Sequence, residues 1–215
     1  MVNYSRGITT DYVESFLYKS FPNPDRILEE IDKFGQRNDV PIIGPLVGRF
    51  LHLLVRACKP RSVLEIGTAI GYSTIWLASA LSDSSRLTTI EINEKILRTA
   101  KENIEKAKLA TKVRFLLGDA ARLVPLMNEG NDFIFLDTEK SLYPKLLPDL
   151  IRLLNVGGFL VADNTLWGGR VATNDRSKAT LAVKDFDNKI INDRRLFTVI
   201  IPIRDGVSLS YKLYD

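Results

Sequence analysis

Five short apolar runs in this chain each end at an acidic residue, and from residue 62 onward such runs alternate with segments of helical periodicity. Alternating strands and helices predict parallel strands joined by right-handed crossovers. In an open parallel sheet, ligands bind beyond the carboxyl ends of the strands, where these side chains would stand in a row. Such a row suits a cation, a sugar hydroxyl or a metal ion better than a polyphosphate. The acids are Glu65, Glu91, Asp119, Asp137 and Asp163.

The predicted fold class is α/β, a mostly parallel sheet with helices on both faces and an antiparallel hairpin at its end. The hairpin is indicated by apolar runs at 197–203 and 207–213 on either side of an Asp205-Gly206 turn. Residues 155–158 are predicted to form a turn. Helices are predicted from residue 11, over 25–34, after Pro45, and over 73–81, 93–108, 143–154 and 177–191. The helix after Pro45 is expected to present one apolar face made of Leu46, Phe50, Leu53 and Leu54.

Length, charge and cysteine content restrict the class of protein. A chain of 215 residues with 45% apolar and 26% charged residues is typical of one globular domain, and no apolar run approaches the ~18 residues needed to cross a bilayer. Cys58 is the only cysteine, which excludes an internal disulfide and a cysteine-based zinc cluster. Residues 1–6 lack the apolar core of a secretion signal, so a cytoplasmic protein is expected. The net charge of +4 permits a nucleic-acid partner without requiring one.

A glycine-containing loop, EIGTAIGYS at residues 65–73, joins the first predicted strand to a helix. It departs from the G-x-G-x-x-G dinucleotide fingerprint, because Ala69 and Tyr72 stand where the second and third glycines are needed, and it is not a P-loop. S-adenosylmethionine fits better, since it is cationic and its carboxylate can sit on backbone N–H groups at a helix start. Glu91 would accept its ribose hydroxyls, and Asp119 with Ala120 would bracket the adenine. Each acid alone is equally compatible with a solvated turn residue.

A second group of polar residues follows the fourth and fifth predicted strands. Asp137 ends one strand, and Asp163 with Asn164 ends the next. Neighbouring strand ends lie about 5 Å apart, so these three oxygen donors are expected to converge. Two carboxylates and an amide carbonyl suit Mg²⁺, with Mn²⁺ or Ca²⁺ as alternatives, rather than zinc.

Three motifs in this order, EIGTAIGYS (65–73), DTEK (137–140) and DNTLWGG (163–169), resemble the cation-dependent class I O-methyltransferases, which include catechol and caffeoyl-CoA O-methyltransferases. The resemblance covers residues 41–215 and implies a Rossmann-like methyltransferase domain, with residues 1–40 as an N-terminal helical segment of the same domain. It also implies a homodimer that involves the N-terminal helices. Two positions depart from the family pattern, Glu139, where Asp is usual, and Arg204, where Gly is common.

The resemblance also implies roles for individual residues. The metal ligands would be Asp137, Asp163 and Asn164, and Lys140 beside Asp137 would be the catalytic base. Trp167 and Arg170 are expected to border the acceptor pocket. The implied donor-binding positions are Glu65, Gly67, Ser73, Glu91, Asp119 and Ala120.

Three functions remain open on the sequence. The first is metal-dependent methylation of a hydroxyl on a catechol-like or phenolic small molecule with vicinal oxygens. The second is O-methylation of 5-hydroxyuridine in tRNA, which presents two adjacent oxygens to the same chemistry and would use scattered Arg and Lys side chains for phosphate contacts. The third, a binding module without catalysis, is disfavoured by the intact Asp137, Lys140, Asp163 and Asn164 set.

Overall fold

The computed structural model describes residues 8–22 and 25–215 of the chain. Within these ranges seven strands form one sheet in the order β3-β2-β1-β4-β5-β7-β6. The strands are β1 Ser62–Ile66, β2 Arg86–Glu91, β3 Val113–Leu117, β4 Asn131–Leu136, β5 Leu154–Asp163, β6 Leu196–Ile201 and β7 Val207–Lys212. The helices are α1 Asp11–Ser20, α2 Arg26–Arg37, α3 Gly44–Cys58, α4 Tyr72–Ala80, α5 Glu94–Lys106, α6 Ala120–Leu123, α7 Tyr143–Leu153 and α8 Lys178–Asn192.

Strands β1 to β5 are parallel, whereas β7 pairs antiparallel with both β5 and β6. The predicted mostly parallel sheet with a C-terminal hairpin is therefore confirmed. From β1 the chain first builds outward to β2 and β3, then crosses over to β4 on the other side of β1. The direction of the crossovers thus reverses between β1 and β4, which is where open α/β sheets leave a crevice for ligands.

The alternation of side chains along the strands produces two apolar layers. In β4, Phe133 and Phe135 join the cluster that packs against α2, α3, α4 and α5. Ile134 and Leu136 point the other way and pack with α7 and α8. Because both faces are covered, the central strands are apolar at nearly every position, as expected for a buried parallel sheet.

Two local predictions were wrong, and a third was right only in part. Residues 155–158 lie within the bounds of β5, but they form an irregular stretch without partners in β4, because Leu154 pairs with Asn131 and the next pair is Phe159 with Phe133. Helix α3 buries Val47, Leu51 and Val55, while Leu53 is 67% exposed. The hairpin connection runs from residue 202 to 206, so it is longer than a tight two-residue turn.

The expected absence of a secretion signal at 1–6 lies outside the described ranges, as do Asn23 and Pro24, which come between the first two predicted helices. Among the described helices, none has the length and apolar character needed to cross a membrane.

Candidate active site

Glu65 lies within β1 rather than beyond its end, and it is fully buried. Its Oε2 accepts hydrogen bonds from Thr74 Oγ1 at 2.6 Å and Thr89 Oγ1 at 2.7 Å. Burial raises the pKa of Glu65 to about 7, although nearby hydroxyls, including that of Ser73, act in the opposite direction. In the described part of the chain, Glu65 Oε1 is buried without a hydrogen-bond partner. A buried acceptor of this kind favours a ligand that brings a donor.

Glu91 ends β2 and holds the glycine loop in place. Its Oε2 accepts the backbone N–H of Ala69 at 3.0 Å, and its Oε1 accepts that of Asn93 at 2.9 Å. Ala69 has a left-handed φ of 45°, which is unfavourable for a residue with a side chain, so the bond from Glu91 helps to fix this loop. Glu91 is only partly buried, which leaves it accessible at the sheet edge.

Asp119 lies two residues beyond β3 and caps α6. Its Oδ1 accepts the backbone N–H of Ala121 at 2.8 Å, while Ala120 forms the buried first position of that helix. The structure thus gives Asp119 a local role that any N-cap aspartate can have.

Gly67 brings the loop after β1 into direct contact with the end of β4. Its φ is +102°, and a Cβ at this position would lie 1.8 Å from the carbonyl oxygen of Asp137. The Asp137 N–H also donates to the carbonyl of Ile66 at 2.9 Å. Only glycine fits between these two segments. The loop predicted to bind a donor and the aspartate predicted to bind a metal are therefore neighbours at the point where the crossovers reverse.

Lys140 is buried, with its ammonium group between Asp137 and Tyr143. Its Nζ donates to Asp137 Oδ1 at 3.1 Å and to the Tyr143 hydroxyl at 2.7 Å. That hydroxyl also lies within hydrogen-bond distance of two carbonyl oxygens, Leu136 at 3.2 Å and Asp163 at 3.0 Å. Tyr143 therefore connects the ends of β4 and β5 to the same ammonium group.

Asp163 is the last residue of β5 and is 1% exposed. Burial and the neighbouring Asp137 raise the pKa of Asp163 to about 7, while the positive charges of Arg204 and Lys140 lower it. The Arg204 Nη1 lies 3.9 Å from Asp163 Oδ2. Among the residues that the structure describes, Asp163 Oδ1 has no hydrogen-bond partner.

Asn164 and Asp205 fasten the β5 end to the hairpin connection. Asn164 Nδ2 donates to Asp205 Oδ2 at 3.3 Å, and the backbone N–H of Gly168 donates to Asp205 Oδ1. Burial raises the pKa of Asp205. Because the amide nitrogen of Asn164 is used in this way, its amide oxygen is the atom that remains for a ligand.

The predicted metal ligands fit a hard divalent cation by donor type and by position. Leu136 pairs with Ala162 across β4 and β5, so Asp137 and Asp163 are the next residues on two adjacent strands. The partnerless Oδ1 of Asp163 is an anionic atom that a cation would satisfy. Over residues 8–22 and 25–215, no group of three His, Cys, Asp or Glu side chains is arranged to hold a metal. The predicted set, two carboxylates and an amide, is of a different kind, and its metal binding stays a prediction.

Trp167 and Arg170 lie in the 3₁₀ segment that follows β5. Trp167 is half-buried, and its ring centroid is 5.8 Å from the Nζ of Lys140. Arg170 is exposed. Trp167 is therefore close to the predicted catalytic group, whereas Arg170 lies at the surface.

Comparison with known proteins gives the family. A sequence model described as O-methyltransferase matches residues 20–213. The chain belongs to the O-methyltransferase family. It is 34% identical to a catechol O-methyltransferase of Niastella koreensis over 178 residues, which cover 78% of this chain and 80% of the relative. It is 28% identical to a caffeoyl-CoA O-methyltransferase of Stellaria longipes over 208 residues, 90% of this chain and 86% of that protein.

Comparison with solved structures also finds an O-methyltransferase with the same fold. The crystal structure of the O-methyltransferase TomG from Streptomyces achromogenes, determined in complex with S-adenosylmethionine, superposes with a TM-score of 0.86. The match covers 94% of this chain and 96% of TomG, at 26% sequence identity. The predicted O-methyltransferase family and its fold are thus confirmed, while the roles of single residues stay predictions.

The structure also shows contacts that sequence reasoning missed. Tyr143, which no motif singled out, is fully buried, and its hydroxyl contacts Lys140. Its position three residues after Lys140, at the start of a predicted helix, was the available signal. Thr74 and Thr89 hold the Glu65 carboxylate, and no motif singled them out. Arg204 stood out as unusual, yet its closeness to Asp163 depends on how the hairpin pairs with β5.

Proposed function

We propose that the chain transfers a methyl group from S-adenosylmethionine to a hydroxyl of a catechol-like small molecule with vicinal oxygens, with the help of a divalent cation. The observation that carries this proposal is the buried contact of Lys140 with Asp137 and Tyr143, beside Asp163 and against the glycine loop. A buried amine, two carboxylates and a close-packed loop at one point of a sheet edge suit a reaction between two bound molecules.

The donor side of the proposal is supported by the fold shared with TomG, which was crystallised with S-adenosylmethionine. In this chain the loop after β1, with Gly67 and Ser73, would receive the donor's amino-acid part. Glu91 would accept the ribose hydroxyls, and Asp119 with Ala120 would border the adenine. The buried and partnerless Oε1 of Glu65 supports a cationic ligand nearby. The donor supplies an electrophilic methyl group on its sulfonium.

The metal would be held by Asp137, Asp163 and Asn164, whose oxygens favour Mg²⁺, with Mn²⁺ or Ca²⁺ as alternatives. When bound, a divalent cation makes an acceptor hydroxyl more acidic by polarising its oxygen. The catechol and caffeoyl-CoA names of the two relatives support acceptors with neighbouring oxygens.

The remaining chemistry belongs to the side chains. Lys140 in its neutral amine form, after its ammonium group has released a proton to solvent, would take the proton of the acceptor hydroxyl, and Tyr143 and Asp137 hold its Nζ in place for that step. Trp167 would cover a flat acceptor ring from the side of Lys140. General-base catalysis of this kind contributes about 10²–10⁴-fold.

A tRNA 5-hydroxyuridine acceptor is a second candidate, supported by cations at the edge of the site. Arg170, Arg176 and Lys178 are all exposed between β5 and the start of α8, where they suit a phosphate backbone. A homodimer through α1 is supported by Tyr12 and Phe16, which lie four residues apart on that helix and are 75% and 68% exposed. Sedimentation of the chain and of a Phe16→Glu variant would test the dimer.

The deciding experiment is a methylation assay with labelled donor. It compares small catechols with tRNA that lacks the methyl group, with Mg²⁺ and with excess chelator. We expect transfer to a catechol that stops in chelator. Transfer to tRNA alone, falling steeply with salt, would favour the second candidate. Full activity in chelator would contradict the metal assignment.

A further inference from the structure

Arg204 places a permanent positive charge inside the predicted metal site. It lies in the connection between β6 and β7 and is only 9% exposed. Its Nη1 is 3.9 Å from Asp163 Oδ2, and Asp163 is itself 1% exposed. A guanidinium cannot be deprotonated in a protein, so this charge is always present. Neither the family assignment nor the proposed mechanism gives Arg204 a role.

Arg204 is one of two cations that act on the predicted metal ligand Asp163, the other being Lys140. Both cations also act on Asp205, and Lys140 contacts Asp137 directly. A divalent cation held by the same Asp163 carboxylate would lie close to the Arg204 guanidinium in a buried place, where the repulsion between two positive charges is strong.

From its position, Arg204 opposes a metal ion through its charge and does not cover both oxygens of the Asp163 carboxylate. The guanidinium approaches Oδ2 of Asp163 but leaves Oδ1 without a partner among the described residues. One carboxylate oxygen therefore stays available to a metal, while the positive charge on the other side opposes its arrival.

We propose that Arg204 acts as a resident cation of the site and lowers the affinity of the chain for divalent cations. This inference rests on the proposed metal function of Asp163. It concerns the strength of metal binding before any acceptor is present, and it predicts that the charge of residue 204, rather than its shape, sets that strength.

The backbone at residue 204 makes the test feasible. Arg204 has a left-handed φ of 51°, which Gly and Asn adopt more readily than other residues. Arg204→Gly and Arg204→Asn remove the charge with little backbone strain, whereas Arg204→Lys keeps it. Arg194→Asn, which removes an exposed arginine elsewhere, is the matched control. Asp163→Asn reports whether the measured ion binds at the predicted site.

The experiment is a titration of each purified protein with Mn²⁺ alone, followed by calorimetry and by the electron paramagnetic resonance signal of free Mn²⁺. We expect the Gly and Asn variants to bind Mn²⁺ at least about tenfold more tightly than the natural chain. The Lys variant and the Arg194 control should match the natural chain, and adding Asp163→Asn to the Gly variant should remove the gain. Thermal unfolding in chelator verifies that each variant is folded.

Equal Mn²⁺ affinity in the natural chain and in folded Gly and Asn variants would overturn the inference while leaving the metal site intact. A Lys variant that binds as tightly as the Gly variant would overturn it as well, because the charge would then not matter. Absence of Mn²⁺ binding in every protein would overturn both the inference and the metal site. Binding that appears only when Arg204 is replaced would support the inference most strongly.

Discussion

The two halves of the sheet edge hold their carboxylates in different ways. In the half proposed to bind the methyl donor, called the donor half and formed by the ends of β1, β2 and β3, the acids accept hydrogen bonds from neutral groups, such as the backbone N–H of Ala69 on Glu91. In the half proposed to bind the acceptor, called the acceptor half and formed by the ends of β4 and β5, the acids face cations, Lys140 on Asp137 and Arg204 on Asp163. Similar acids near the same edge of the sheet thus have different electrostatic surroundings.

This difference in electrostatic surroundings indicates which ligand groups each half is suited to bind. Neutral hydrogen-bond donors shape a loop and bring no positive charge to the carboxylate, which suits hydroxyl groups and a sulfonium compound. The cations Lys140 and Arg204 offset negative charge at Asp137 and Asp163, which suits an incoming oxyanion and weakens the binding of the proposed divalent ion. The following changes test this division, beginning with the largest expected effect.

Replacing Asp163 by Ala should abolish divalent-dependent methyl transfer, lowering the rate by at least about a thousandfold, because it removes the proposed ligand and leaves Arg204 without its carboxylate partner. Binding of S-adenosylmethionine should remain measurable by calorimetry. Loss of donor binding together with activity in a folded variant would show that the two halves are not separate.

Replacing Lys140 by Ala should lower the methyl-transfer rate by about a hundredfold or more, as expected for loss of a general base. Lys140→Arg should not restore the rate, since a guanidinium does not accept a proton. Single-turnover kinetics with labelled donor measure this step. A Lys140→Arg variant as active as the natural chain would show that the positive charge matters and proton transfer does not.

Features that are set by residues nearby in the sequence could be predicted, whereas contacts between distant residues could not. The alternation of strands and helices is set by nearby residues, and the structure shows it as predicted. Most of the acids also lie at or just beyond a strand end, although Glu65 lies within β1. The contact between Asp163 and Arg204 joins residues 41 positions apart, through the pairing of β5 with β7. Periodicity does not reveal such pairing.

The limits of local signals also explain the other differences. Gly157 and Gly158 are typical turn residues, and they lie in an irregular stretch of β5 between the pairs Asn131–Leu154 and Phe133–Phe159, where Gly157 has a left-handed φ of 84°. The apolar face of α3 was misjudged because Leu53 is apolar yet faces away from the sheet.

Replacing Glu91 by Ala should weaken donor binding about tenfold, through lost hydrogen bonds to the ribose and loosening of the loop at Ala69. Metal affinity should change little, because Glu91 belongs to the other half. Hydrogen exchange of the Ala69 amide in the donor-free protein separates the two contributions, because loosening of the loop would raise this exchange, whereas loss of hydrogen bonds to the ribose would not. An unchanged donor titration would contradict the assignment.

Asp187 is a buried carboxylate that receives no hydrogen bond from either half among the described residues. Its replacement is expected to have the smallest effect on the two halves. It is 8% exposed on α8, its Oδ1 has no hydrogen-bond partner in the described part of the chain, and burial raises its pKa to about 7. The folded chain therefore keeps a proton on Asp187 that the unfolded chain loses near pH 4, so stability falls as pH rises from about 4 through 7.

Asp187→Asn should remove this pH-dependent contribution, which is on the order of 4 kcal/mol at pH 8 for a pKa raised from 3.8 to about 7. The measurement is the free energy of unfolding in urea at pH 5, 6, 7 and 8. We expect the stability difference between variant and natural chain to shift in favour of the variant as pH rises, with Asp185→Asn, an exposed neighbour, as the control. The buried amide of Asn is not ideally accommodated either, so the pH dependence of the difference, rather than its sign at one pH, is the decisive quantity. Parallel pH profiles for the two proteins would mean that Asp187 is already ionised in the folded state over this pH range.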